Sequence, residues 1–156
     1  RHDLPKVNIV NAGITGLNTT QYLNFMNTNI FRQIIPKTVD LVTICFGAND
    51  AAIDSMQTVP LHNFKTNFYQ IIKQTRQITD KLLVIAPTPL CEPFPDRTNE
   101  NTQKYVDCLK DICKQNDLNF ADIRNSWNNE KIWEDGGHLD LQGNYLFAEQ
   151  VKKYIM

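Results

Sequence analysis

An α/β fold with a parallel sheet covered on both faces is what this sequence predicts, and three observations carry the prediction. Four short apolar runs bounded by turn or charged residues read as buried strands: Val7 to Asn11, Asp40 to Phe46, Lys81 to Ala86 and Asn119 to Asp122. Stretches with apolar residues at helical spacing separate them. Regular strand-helix alternation calls for βαβ crossovers, and hence for a three-layer α/β/α sandwich.

The helices follow in order. From about Thr19 to Ile35 the chain carries Leu23, Met26, Ile30 and Ile34 on one side, and Pro36 stops the pattern. The next stripe is Phe64, Phe68, Ile71, Ile72 and Ile78, the third Tyr105, Val106, Leu109, Ile112 and Cys113. A last helix from about Leu141 buries Phe147, Val151 and Ile155. The second and third stripes read as core. The Pro-rich piece from Pro87 to Pro95 reads as a loop at the carboxyl end of the third strand.

A chain of 156 residues that is 42% hydrophobic and 10% aromatic suits a single domain over 1–156. Its net charge of -1 and scattered Lys and Arg offer no basic footprint for nucleic acid or an anionic membrane. The longest apolar stretches, such as Leu82 to Ala86, fall far short of the roughly 20 residues that span a bilayer. Cys45, Cys91, Cys108 and Cys113 show neither zinc-type spacing nor a CxxC pair, so they read as buried free thiols, and a cytoplasmic location is expected.

In an open parallel sheet, ligands sit outside the carboxyl ends of the strands, which directs attention to three segments. Asn11-Ala12-Gly13-Ile14-Thr15-Gly16 lacks the lysine of a P-loop and the third glycine of a dinucleotide fingerprint. Gly16 is either a plain turn glycine or a backbone N–H donor for an oxyanion. After the second strand, Gly47-Ala48-Asn49-Asp50 permits a tight exit. Asn49 there either aims its amide at developing negative charge or closes an Asx-turn. Near the C-terminus, Asp135 and His138 stand three apart around two glycines, which brings carboxylate and imidazole into hydrogen-bond reach. Such a pair either forms a general base with a fixed tautomer or sits idle on a loop. No further His or Cys stands near His138, so a metal is not expected.

Taken together, Gly16, Gly47-X-Asn49-Asp50 and Asp135-X-X-His138 resemble the SGNH, or GDSL-type, hydrolases. Asn8 to Thr19, Val59-Pro60-Leu61, Pro87-Thr88-Pro89-Leu90-Cys91-Glu92 and Asp135-Gly136-Gly137-His138-Leu139 are similar to the isoamyl acetate-hydrolysing esterase branch. The resemblance implies a flavodoxin-like sheet and hydrolysis of small carboxylic esters without metal or organic cofactor. It makes Gly16 and Asn49 oxyanion donors, His138 the base and Asp135 its orienting carboxylate. Thioesters, lysophospholipids and acetylated sugars are alternative substrates on the same fold. Phe46, Ile53, Met56, Leu90 and Phe94 are candidates for an acyl pocket.

The family's nucleophile, a serine in Gly-Asp-Ser, has no counterpart here. Ser55 and Ser126 are the only serines, and neither stands where the family puts its nucleophile. Because Val7 to Asn11 aligns with the family's second strand, the first, central strand and its serine are expected ahead of Arg1, in a domain truncated at its N-terminus. The chain alone is then expected to be inactive. With the neighbours of that strand left without a partner, the chain alone is expected to be unstable, to close the gap by a shift of the Val7 strand, or to expose an edge prone to association. The alternative is a catalytically dead relative serving as a binding or regulatory module.

Overall fold

The computed structural model describes residues 7–91, 94–126 and 132–155. Among these residues five α-helices and three strands follow in order: α1 (Thr19–Met26), α2 (Asn29–Ile34), β1 (Val42–Cys45), α3 (Leu61–Thr75), β2 (Leu82–Ile85), α4 (Asn99–Asn116), β3 (Asn119–Ala121) and α5 (Leu141–Lys152). All three strands run parallel in the order β1-β2-β3, with Val42 opposite Leu82 and Leu83 opposite Asn119.

Side-chain alternation along the strands assigns the two faces. Ile44, Leu82 and Val84 point into the larger core, which Met26 of α1, Phe64, Phe68, Ile71 and Ile72 of α3, and Tyr105, Leu109, Ile112 and Cys113 of α4 complete. Leu83, Ile85, Ala121 and Ile123 face the other way and meet Val151 and Phe147 of α5. β2 lies between the other two strands and buries every residue, as a strand covered on both faces must.

The helix ends are encoded locally. Asn18 and Gln21 form a reciprocal capping box at α1, Thr98 caps α4, and Asp140 accepts from the Gly143 N–H at α5. α4 ends on Asp117 in the left-handed conformation, which a short polar side chain tolerates.

Four expectations need correction. Residues 7–11 form no strand: Val7, Ile9 and Val10 are 60, 83 and 51% exposed, and none of them joins the ladder on β1. A strand exists only through a partner's hydrogen bonds, and the apolar character of 7–11 cannot supply one. The single helix expected from Thr19 to Ile35 is two, because the Thr28 side chain accepts from the Phe31 N–H and starts a new helix after Asn27. That break turns Ile30 and Ile34 outward and sends Phe31 edge-on against Tyr22 and Phe25 instead. Ile78 lies beyond α3, and Ile155, past the end of α5, is half exposed. Finally, all four cysteines are free, yet only Cys113 is buried.

Candidate active site at the carboxyl ends of the strands

Three stretches of loop meet at the end of the sheet where the strands finish: 47–59 after β1, 86–91 with 94–98 after β2, and 132–140 ahead of α5. Asp50 anchors the first. Its fully buried carboxylate accepts from the N–H and the hydroxyl of Thr19, at 2.9 and 2.5 Å. Thr19 is the first residue of α1, so the carboxylate also lies at the positive end of that helix. Burial pushes the Asp50 carboxyl up and the Thr19 bonds act against that rise. Its Oδ2 finds no hydrogen-bond partner among the described residues.

Docking α1 on Asp50 brings the preceding loop to Asn49. Asn49 Nδ2 donates to the Leu17 carbonyl at 3.0 Å, and Gln57 Nε2 donates to the Gly16 carbonyl at 2.8 Å. Gly16 has φ +79°, a conformation that favours glycine. Gly47, at φ +117°, turns the chain out of β1 against Phe64, Tyr105 and Pro87. Gly16 and Asn49, proposed together from sequence, are therefore neighbours in space.

Asp135 and His138 are joined as their spacing suggests. His138 Nδ1 lies 2.6 Å from Asp135 Oδ2, while Asp135 Oδ1 accepts from the N–H groups of Gly137 and His138. Bonding to the His138 ring, then to those two N–H groups, holds the Asp135 carboxyl at about 2. It is ionised at neutral pH, and its exposure favours the charge. The loop is closed by a bridge between Trp133 and Leu139 and pinned to the second loop by the Cys91 N–H, which donates to the Gly136 carbonyl at 2.7 Å.

Phe94 and Arg97 connect the two parts, and sequence reasoning missed this role. A Cβ on Gly137 would come 2.4 Å from the Phe94 ring, so glycine is what lets the histidine loop lie on that ring. The Arg97 guanidinium sits 5.6 Å from the centre of the same ring. It also donates to the Ala48 carbonyl at 3.0 Å, to Asn49 Oδ1 at 3.1 Å, to Asp96 at 2.6 Å and to Gln57 Oε1. Nothing local in the sequence marks Arg97, which stands two residues past Pro95.

The suggested acyl-pocket residues do not share one environment. Phe46 packs on Tyr22 at 4.8 Å within the larger core, Leu90 is buried and Met56 is 99% exposed. Among the described residues no group of three or more His, Cys, Asp or Glu could hold a metal ion, and no helix is long and apolar enough to cross a membrane. Ser55 lies in the loop after Asn49, where its N–H donates to the Thr58 hydroxyl. Ser126 ends a short 3-10 helix over Arg124–Ser126.

Residues 1–146 match the GDSL-like lipase/acylhydrolase family. The chain belongs to that family. It is 27% identical to a GDSL esterase/lipase of Arabidopsis thaliana, over 96% of this chain and 73% of that protein. It is 28% identical to the isoamyl acetate-hydrolyzing esterase 1 homolog of Homo sapiens, over 92% of this chain and 66% of the relative. The isoamyl acetate-hydrolyzing esterase of Saccharomyces cerevisiae is 25% identical, over 96% and 69%. The chain thus spans about two thirds to three quarters of the length of these relatives.

Solved structures agree on the fold. A lipase/acylhydrolase from Enterococcus faecalis superposes with a TM-score of 0.73 at 22% identity, covering 90% of this chain and 71% of that one. An acetylxylan esterase from Geobacillus stearothermophilus gives 0.76 at 19% identity, covering 93% and 70%. The α/β architecture with a parallel sheet is that of the SGNH hydrolases.

Proposed function

We propose that this chain forms the base and oxyanion-binding part of a serine esterase acting on small acyl or acetate esters, within one hydrolase domain. The observation that carries the reading is the Asp135–His138 pair, joined through Phe94 and Arg97 to Asn49 at one end of the sheet. Ionised Asp135 beside Nδ1 keeps the ring proton there and leaves Nε2 as the acceptor. His138 takes the proton of the attacking serine and returns it to the leaving alcohol. One Asn49 N–H holds the Leu17 carbonyl, and the other is the donor to the tetrahedral oxyanion, with the Gly16 N–H beside it. Water activated by His138 then clears the acyl-enzyme. The nucleophile is a Gly-Asp-Ser serine from chain outside these 156 residues, because neither Ser55 nor Ser126 occurs in such a motif.

The test is serine-directed fluorophosphonate labelling, with p-nitrophenyl acetate hydrolysis measured in parallel. The 156 residues alone should stay unlabelled and at background rate. The protein extended by a serine-bearing segment should label at that serine and turn over. Labelling of Ser55 or Ser126 would overturn the assignment, and an inert extended protein would favour a binding module instead.

A further inference from the structure

One densely bonded side chain at this end of the sheet takes no part in the proton transfers proposed above. The Arg97 side chain is 13% exposed, and its guanidinium serves four acceptors, three in the loop after β1 and one on the neighbouring Asp96. Two of them lead directly to the proposed oxyanion donors. Asn49 Oδ1 receives Nη2, and Gln57 Oε1 receives the same nitrogen while Gln57 Nε2 grips the Gly16 carbonyl.

We propose that Arg97 is the positioning residue of the oxyanion hole, fixing the Asn49 amide directly and, through Gln57, the carbonyl of Gly16, the residue whose N–H is the second donor. The proposal rests on the hydrolase reading for its kinetic consequence, but not for its geometry. An asparagine amide has two ends of nearly equal size, so bonding decides which end faces a ligand. Turning Asn49 over would set its N–H₂ against the guanidinium and its oxygen against the Leu17 carbonyl, two repulsions in place of two hydrogen bonds. The charge-assisted bond at Oδ1 also draws electron density from the amide and makes its N–H a stronger donor. Gln57 is directed by the same rule, since guanidinium at Oε1 leaves only Nε2 to face Gly16. A lysine cannot substitute, because a single ammonium cannot meet the Ala48, Asn49 and Gln57 oxygens in this planar fork.

The kinetic arm uses the serine-bearing protein with p-nitrophenyl acetate. Arg97→Met should lower kcat about 10–100-fold with KM within about twofold, since the oxyanion exists only beyond the ground state. Arg97→Lys, which keeps charge and stem packing on Phe94, should not restore the rate. With Asn49→Ala already in place, Arg97→Met should cost clearly less than it does alone, because only the Gln57–Gly16 arm is left for it to disturb. The structural arm uses NMR of the 156-residue chain. The two Asn49 side-chain N–H signals should be well separated and slow to exchange in the parent, and averaged in Arg97→Met and Arg97→Lys while backbone signals elsewhere hold. Rescue by lysine, fully additive losses, or Asn49 signals indifferent to both variants would overturn the proposal. If the extended protein proves inert while the Asn49 signals still collapse, the hydrolase reading fails and the positioning role stands.

Discussion

Asn49 is partly buried and bonded at both ends of its amide, whereas 70% of the His138 side chain is exposed and its ring meets one carboxylate. The difference matches what each half has to do. An oxyanion is stabilised only by donors that already point at it, so the Asn49 half gains from a rigid, dry surround. A base needs a defined tautomer and room to pass a proton on, and one ionised aspartate at Nδ1 supplies the first without enclosure. Activity and stability should therefore be separable on the histidine side and coupled on the asparagine side.

The largest effect should come from breaking the exposed half. In the serine-bearing protein, His138→Ala is expected to lower kcat by about 10⁴–10⁶-fold, with a thermal midpoint unchanged from the parent. A large drop in melting temperature would show that the loop is more than a local pair. Asn49→Ala comes next, at about 10²–10³ in kcat. Because it strips partners from Leu17 and from part-buried Arg97, it should also cost about 1–3 kcal/mol in urea unfolding. An Asn49→Ala protein as stable as the parent would erase the contrast between the halves.

A third test probes the scaffold under the histidine loop. A Cβ on Gly143 would lie 2.5 Å from the Ile132 carbonyl oxygen, so Gly143→Ala has to push backbone apart. A loss of about 1–3 kcal/mol is expected, with the rate per folded molecule little altered. The smallest effect concerns Asp50. Its carboxyl is raised in the folded state, so the fold binds the proton more tightly than the unfolded chain does, and stability falls as pH rises. Against Asp50→Asn, which keeps an acceptor for Thr19, the parent should lose ground from about 3.8 upward and level off above the raised value. Parallel urea-midpoint curves for the two proteins between acid and neutral pH would contradict this.

How far the sequence spoke for itself depends on the range of the interaction. β1, β2 and β3, the stripes of α3 and α4, and the contact of Asp135 with His138 were readable because pattern and partner lie within a few residues. Residues 7–11 were misread because the same apolar pattern describes a strand with a partner and extended chain without one. The split of the first helix turned on a single Thr28 hydroxyl, too small a signal to outweigh a run of apolar residues. Arg97 and Gln57 were invisible as site residues, because nothing in their own neighbourhoods reports that Asn49 and Gly16 are their partners.

Distance along the chain also orders these bonds in time. His138 and Asp135 are three residues apart, so their bond asks for one tight turn. Asn49 reaches back 32 residues to Leu17, Gln57 reaches 41 to Gly16 and Arg97 reaches 48 to Asn49. Closing loops of that length spends backbone entropy before any contact returns it, and α3 and β2 must be in place first. During refolding, the imidazole-carboxylate pair should form early and the amide network last. Recovery of hydrolysis would then lag behind recovery of helix signal, and the amide network would be the first part of the site lost to mild denaturant.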